Sequence, residues 1–357
     1  MFCIAAFIVL GIISIFSARY RKLAGKAWGC TARRITFRPC DSSFKDEAKN
    51  GLLSHVAKRT PRLVKAADTG IEVASFALVI LTVWSILVVA ESGLNLFVWG
   101  TCTPADASSC SLGSESCSIS SGNQGFWVLT TEGRPWEWFT NKANELGNTV
   151  ANIPTRLKNW DAKEYLPQNA TYYFNYDDAK PTALEIIDPG CTVCANVFKN
   201  IKQAGFENKY NLTYLAYPIS DPLADGKYKF KNSYTVTRYL ESIKLNPIKD
   251  IKTPADWQIL ERIFTWKDNS GVSYQTRINA TMTEDEVVKL LKDWLMDVGY
   301  IQEQIEKIEE DASSQKIADI ISDNKNIVDN EIKTIKIPTI IFNGNRYDGL
   351  IETNRLK

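Results

Sequence analysis

The sequence predicts an α/β domain built on a strand–helix–strand unit, interrupted by a long helical insert and preceded by two membrane helices. Three observations predict it. Two apolar runs lie in the first hundred residues, separated by a strongly basic stretch. A strand-type run, Ala183–Ile187, feeds through Asp188-Pro189-Gly190 into Cys191-Thr192-Val193-Cys194, after which Ala195–Ala204 reads as helix and Leu212–Tyr217 as strand. Strand-type residues return at Ile335–Phe342, after a mostly helical stretch from Tyr234 to about Asn330.

The totals bound what this chain can do. Its 357 residues and net charge of +1 conceal an asymmetry: residues 1–70 hold 13 Lys/Arg against 4 Asp/Glu, whereas residues 71–357 hold 29 against 37. A split of this kind points to two compartments and argues against a nucleic-acid partner. Eight cysteines are too few for a disulfide scaffold of this length. The single histidine, His55, lies far from the Cys pair, so a Ser-His-Asp or Cys-His mechanism, or a multi-His metal site, would depend on it alone.

Residues 1–18 are expected to form the first transmembrane helix. The apolar run precedes its positive charges (Arg19, Arg21, Lys22, Lys26), the reverse of a cleaved signal peptide, although it is short for a full span. Residues 71–98 form the second: Val73–Ala90 is 18 residues without a charge. Glu91 is then expected at the membrane surface, with Trp99 as an interfacial aromatic. The loop 19–70, with Arg33, Arg34, Arg38, Lys58 and Arg59, is basic and is therefore expected in the cytoplasm. The C-terminal part then lies on the extracytoplasmic side. Cys30 and Cys40 are expected to be free thiols in that loop, because a metal site with His55 would lack a fourth ligand.

Residues 99–168 read as a stalk and linker carrying an amphipathic helix. The stretch 101–125 is rich in Ser, Gly and Asn. It holds Cys102, Cys110 and Cys117, two of which are expected to close a local staple, leaving one over. The alternative is that one exchanges with the Cys191/Cys194 pair. Pro135–Trp160 is helical in pattern, and Trp136, Trp138 and Phe139 suit either a membrane surface or packing on a neighbouring domain.

Residues 169–357 form the outer domain, with the helical insert at about 220–332. Tyr172–Tyr176 reads as a strand. Thr253-Pro254-Ala255 reads as an N-cap with Pro at the first helical position, and Thr283 with Glu286 as a capping box. The charges of Gln302–Lys307 read as a solvated helix face. Pro338, inside a strand pattern, calls for a special backbone such as a cis peptide. Asn343-Gly344 predicts a tight hairpin, with Arg346–Ile351 as the returning strand. Sequons at Asn169, Asn211 and Asn279 are compatible with an outside location.

The chemistry concentrates at Cys191 and Cys194. Two cysteines three apart share one face of a helix's first turn. The N-terminal one meets free backbone N–H groups that favour a thiolate. A zinc half-site would need a second such pair, and the chain has none.

Ala183–Ile187 before Cys191-x-x-Cys194, together with Ile337-Pro338-Thr339-Ile340-Ile341-Phe342-Asn343-Gly344, resembles the thioredoxin-like superfamily. The helices between them resemble its DsbA-like branch of thiol-disulfide oxidoreductases, over about residues 170–357. The resemblance implies that Cys191 attacks, Cys194 resolves, Pro338 is the cis-proline facing the disulfide, and Glu185 moves protons to and from Cys194. It implies that Ile337, Thr339, Thr192 and Val193 contact the substrate. It implies no cofactor and no metal. The partners implied are exported protein thiols or disulfides, a membrane or soluble redox partner, and the lipid bilayer. The chain departs from the pattern in three places. Gly190 stands where an aromatic is common. Thr192-Val193 supplies no cation to hold the Cys191 thiolate, which points to a less oxidising couple than DsbA. Only eight residues follow Gly349, so the last helix is short or missing and Pro135–Trp160 is a candidate to cover that flank.

The leading expectation is thus a membrane-anchored thiol-disulfide oxidoreductase at the outer face of the membrane. The alternatives are a non-catalytic binding or assembly protein of the same fold with a structural disulfide, and a membrane regulator whose loop 19–70 senses the cytoplasm.

Overall fold

The computed structural model describes residues 2–16, 20–36, 64–104, 115–119, 124–221, 226–249 and 251–357. The expectations for Arg38, Cys40, His55, Lys58, Arg59 and Cys110, and for the side chain of Arg34, fall outside the described residues. The chain divides into two units, Met1–Glu91 and Ser92–Lys357.

In the first unit, helices α1 (Phe2–Phe16) and α2 (Arg21–Ile35) bury Ala27 and Cys30 against Phe7 and Leu10. Cys30 is disulfide-bonded, not the free thiol expected. Helix α3 runs Val64–Trp99. Ile80, Leu81, Val83, Ile86, Leu87 and Val89 along it are each more than half exposed. An apolar surface exposed all round a helix suits lipid, not a protein core. Its 36 residues rise about 54 Å against about 30 Å of hydrocarbon. The 15 residues of α1 rise only about 22 Å. Among the described residues, α3 is therefore the one helix long and apolar enough to cross a membrane.

The second unit is built on a four-stranded sheet, β2 (Thr182–Ile187), β3 (Asn211–Ala216), β5 (Thr339–Phe342) and β6 (Asn345–Asp348), ordered β3-β2-β5-β6. β2 and β3 run parallel, joined through helix α7 (Thr192–Ala204) and the short α8 (Phe206–Lys209); β5 is antiparallel to β2, and β6 to β5. All six residues of both β2 and β3 are buried, as parallel strands covered on both faces must be. The stripe Cys194, Ala195, Val197, Phe198, Ile201 turns α7 onto the sheet, and Gly205, at φ 62°, ends it in the left-handed conformation. β5 and β6 join through Asn343 (φ 48°) and Gly344 (φ 74°), the two positive φ values of a tight hairpin turn. A separate two-stranded ribbon pairs β1 (Cys117–Ser118) with β4 (Lys336–Ile337), next to the cis Ile337–Pro338 peptide.

Between β3 and β4 lies the helical insert: α9 (Ser233–Leu245), α10 (Ala255–Thr265), α11 (Tyr274–Ala280), α12 (Glu284–Val298), α13 (Gln302–Ala312) and α14 (Gln315–Asn326). Trp257 ties it to the sheet. Fully buried, it meets Tyr214 of β3 edge-on at 4.7 Å and lies 6.4 Å from Phe198 of α7. The Thr283–Glu286 capping box is present. Pro254 sits at the N-cap of α10, one residue before the first helical position.

Other local expectations shift for tertiary reasons. Tyr172–Tyr176 is not a strand. It makes one bridge, Tyr172 to Thr213, while its aromatic content serves packing: Tyr173 meets Trp257 at 5.3 Å and its hydroxyl bonds Glu261. The returning strand stops at Asp348, where Gly349 (φ 85°) turns and donates to the Pro338 carbonyl at 2.7 Å. Trp99 is buried, not interfacial; its indole donates to Thr149 at 3.0 Å. The described residues of the stretch that read as a stalk thus lie within the second unit, where α4 (Phe126–Thr131), α5 (Pro135–Ala151) and α6 (Ile153–Leu157) lead to the buried Trp160, which bridges Gly344 at the sheet edge. The chain ends in a single helical turn, Thr353–Leu356, whose Leu356 is buried. Asn211, one of the three sequon residues, is buried with its amide bonded to Asp177 and Lys180, which closes it as an acceptor in the folded chain.

Candidate active site

The turn after β2 sets the first cysteine. Cys191 N donates to the Asp188 carbonyl at 3.0 Å, placing Cys191 at the N-cap of α7 with extended backbone (φ −77°, ψ 118°). The buried Asp188 carboxylate accepts from Gly190 N and Ile219 N, each at 2.7 Å, and from the Ser233 hydroxyl. Burial raises its pKa to about 6, partly offset by these donors. Gly190 is required by crowding: a Cβ there would lie 2.3 Å from the Phe230 Cβ. Phe230 fills the space in which an aromatic at 190 would have to fit. From the insert, the buried Gln275 donates to both the Pro189 and Cys191 carbonyls at 2.9 Å.

Cys191 is not bonded to Cys194. Its sulfur is joined to Cys117, 74 residues earlier. The local staple expected among the three linker cysteines is therefore not the arrangement at Cys117, and the alternative of a bond to the Cys191/Cys194 pair is. Cys102 is also disulfide-bonded. Cys117 lies on β1, opposite Ile337, with Ser118 opposite Lys336. The Cys191 Sγ is 3.8 Å from the Ile337 carbonyl oxygen. Cys194 is a buried free thiol one turn into α7. Burial pushes its pKa well up, and the Glu185 and Asp188 carboxylates add to this.

Glu185 lies in the middle of β2, opposite Tyr214 on one side and Ile340 on the other. It is buried, its Oε1 has no hydrogen-bond partner among the described residues, and burial raises its pKa to about 8. A carboxyl held near neutrality can both give and take a proton at ordinary pH.

The structure thus brings Cys191, Cys194, Ile337 and Pro338 together around one sulfur, with Glu185 on the strand beneath. Thr192 is exposed and Val193 half-buried on the first turn of α7. Thr339 is turned inward: its hydroxyl donates to the Lys336 carbonyl at 2.7 Å and lies 3.1 Å from the Asp348 carboxylate, and the residue is fully buried. A substrate contact by its side chain is therefore not available. Sequence reasoning missed Gln275, Phe230 and Ser233, which carry no local mark, and it read Asp188 only as a turn residue. The odd cysteine of the linker was the available signal for Cys117. Among the described residues no cluster of His, Cys, Asp or Glu suits a metal. A cavity of about 500 Å³ opens beside the β1–β4 ribbon, lined by Trp99, Ile119, Asn148, Asp329 and Ile335, and holds neither cysteine of the pair.

The strand order and the connection through α7 define a thioredoxin-like domain with a helical insert. No family model matches the chain. No curated protein matches it either. Among solved structures it is similar to a thioredoxin-like oxidoreductase from Silicibacter pomeroyi (14% identity, 53% of this chain and 88% of that one, TM-score 0.36). It is also similar to MdbA, a thiol-disulfide oxidoreductase from Corynebacterium diphtheriae (13%, 50% and 82%, 0.36). A third likeness is to ScsC from Proteus mirabilis in a transitional conformation (12%, 64% and 92%, 0.35). The topology, not these likenesses, defines the fold.

Proposed function

We propose that this chain is a membrane-anchored thiol-disulfide oxidoreductase that acts on exported proteins through Cys191 and Cys194. One observation carries the reading. The Cys191 sulfur sits at a helix N-terminus beside the cis Ile337–Pro338 peptide, joined to the cysteine of a strand laid antiparallel along Lys336–Ile337. A mixed disulfide with a bound peptide needs this arrangement. In the proposed reaction the Cys191 thiolate attacks a substrate disulfide, or a substrate thiolate attacks the Cys191–Cys194 disulfide. Either route gives a mixed disulfide at Cys191, resolved by Cys194 or by a second substrate thiol. Glu185 takes the Cys194 proton as that thiol attacks and returns it in the reverse direction. Ile337 offers backbone groups to the substrate, and Thr192 and Val193 border the sulfur.

Helix α3 is the proposed anchor. Whether α1 also spans, as in the two-pass arrangement, is tested by glycosylation-site or thiol tagging of each end. Orientation has opposing signals: the basic stretch 19–70 favours the cytoplasm, whereas the disulfide at Cys30 suits an oxidising compartment. The aromatic cluster is compatible with a lipid surface: Phe126 meets Trp138 at 5.5 Å, while Trp127 and Trp136 stay 76% and 78% exposed.

The test compares wild type, Cys191→Ser and Cys194→Ser on a scrambled disulfide substrate. Activity in wild type and loss in Cys191→Ser supports the reading, and Cys194→Ser accumulating mixed disulfides names the substrates. A second reading, a binding or assembly protein of the same fold, is favoured by the occupation of Cys191 by Cys117. It predicts that wild type is as inactive as the variants even after reduction.

A further inference from the structure

We propose that Glu115–Ile119 is a built-in substrate strand and that Cys117 is a third exchange cysteine, closing the Cys191 site as an intramolecular mixed disulfide until Cys194 releases it. The proposal rests on the oxidoreductase reading and names the ligand class of the groove: an extended, cysteine-containing peptide.

The segment is held as a peptide ligand would be. Cys117 lies opposite Ile337 and Ser118 opposite Lys336, and Ile119 N donates to the Ile335 carbonyl at 3.0 Å. At the other end Leu350 N donates to the Glu115 carbonyl at 2.7 Å, and the Lys229 ammonium donates to the Ser118 carbonyl at 3.2 Å. Affinity from main-chain pairing, with one side chain aimed at a specific pocket, is the mode of strand addition to a sheet edge. Here the aimed side chain is Cys117 and the pocket holds the Cys191 sulfur. With the strand seated, Cys191 is 0% exposed, so no outside sulfur reaches it. The backbone of β4 that a substrate would pair with is occupied by the same strand.

A purely structural bridge would leave Cys194 without a task. Yet Cys194 is a free thiol one turn from the bridged sulfur, and the buried Glu185, on the strand that leads into Cys191, is close enough to act on its charge. The release step balances. Cys194 attacks the Cys191 sulfur, the Cys191–Cys194 bond forms, and the Cys117–Cys191 bond breaks. The Cys194 proton passes through Glu185 to the departing Cys117 thiolate, with no net oxidation. The strand, no longer covalently held, then yields the groove to a substrate peptide. Because Cys117 belongs to the same chain, its effective concentration at Cys191 is on the order of millimolar. A micromolar substrate is therefore outcompeted by about 10²–10³.

Two arms test this on the full-length protein in detergent micelles. In the first, wild type and Cys194→Ala are incubated with N-ethylmaleimide, and their disulfides are mapped by mass spectrometry of a non-reducing digest. The expected result is a Cys117–Cys191 link in both. In wild type alone it is replaced over time by Cys191–Cys194 with Cys117 alkylated. A link that persists equally in both, or a Cys117 bonded elsewhere, overturns the proposal. In the second arm, turnover of a micromolar disulfide reporter peptide is compared in wild type and Cys117→Ser. The expected result is a rate at least about tenfold higher in Cys117→Ser. Equal rates overturn the closing role while leaving the oxidoreductase reading intact. No turnover in a Cys117→Ser protein that melts as cooperatively as wild type overturns the oxidoreductase reading. The first arm needs no change at Cys117, so misfolding of that variant does not blunt it.

Discussion

Replacing Glu185 by Gln isolates the buried carboxyl. Glu185 is raised by burial from 4.5 to about 8. The folded chain therefore holds this proton more tightly than the unfolded chain. Stability is therefore fully present below pH 4.5 and falls as pH rises toward 8, at about 1.4 kcal/mol per pH unit. Between pH 5 and pH 8 the loss is about 3–4 kcal/mol. Glu185→Gln removes that slope. Its amide carries its own burial cost, which does not vary with pH. The difference in Tm between variant and wild type should then shift in the variant's favour by about 6–16 °C from pH 5 to pH 8, at about 2–4 °C per kcal/mol. Thermal melts of both proteins in the same detergent, at half-unit pH steps, measure it. Asp188 also titrates in this window, at about 6, but it is common to both proteins and cancels in the difference. A difference in Tm independent of pH would refute the reasoning. If Glu185 carries protons for Cys194, the same variant should also slow resolution of a preformed mixed disulfide while leaving its formation unchanged.

Other outcomes follow from single contacts. Gly190→Ala should destabilise by about 1–3 kcal/mol or more, because the new Cβ meets the Phe230 Cβ at 2.3 Å; an unchanged denaturation midpoint would contradict the contact. Gln275→Leu removes the side-chain donor to the Pro189 and Cys191 carbonyls; Cys191 keeps the Ala195 N–H at 3.3 Å, so the expected cost is about 1–3 kcal/mol for the Pro189 carbonyl, read by urea denaturation. In Cys117→Ser, the Cys191/Cys194 couple should titrate at a potential more negative than the roughly −120 mV of DsbA. The motif contains no cation, and two buried carboxylates disfavour a thiolate at Cys194; a glutathione redox titration decides it.

Much of the site was legible because its parts are local. The apolar run of β2, the Asp-Pro-Gly turn and the stripe of α7 follow from strand and helix periodicity, so the placing of Cys191 and Cys194 on the first turn needed no tertiary knowledge. Asn343-Gly344 specified its hairpin by the positive φ that both residues accept. Where the reading shifted, a packing demand overrode a local preference. Tyr172–Tyr176 has strand composition but spends its rings on Trp257 and its hydroxyl on Glu261. Trp99 has interfacial character but is drawn inward by Thr149. Thr339 sits beside Pro338 as expected, yet its hydroxyl is consumed by Lys336 and Asp348.

By itself, then, the sequence determined the strand–turn–helix that presents two cysteines, the helical insert and the apolar helix ahead of them. These depend on backbone preferences within a few residues and on the period of burial. Only the tertiary structure decided which sulfur Cys191 holds, that Gln275 and Phe230 shape the turn around it, and that Ile337 is already paired with a strand of the same chain. Those contacts join positions far apart in sequence, and no local preference specifies such a pairing: it is set by which surfaces the closed sheet leaves facing one another.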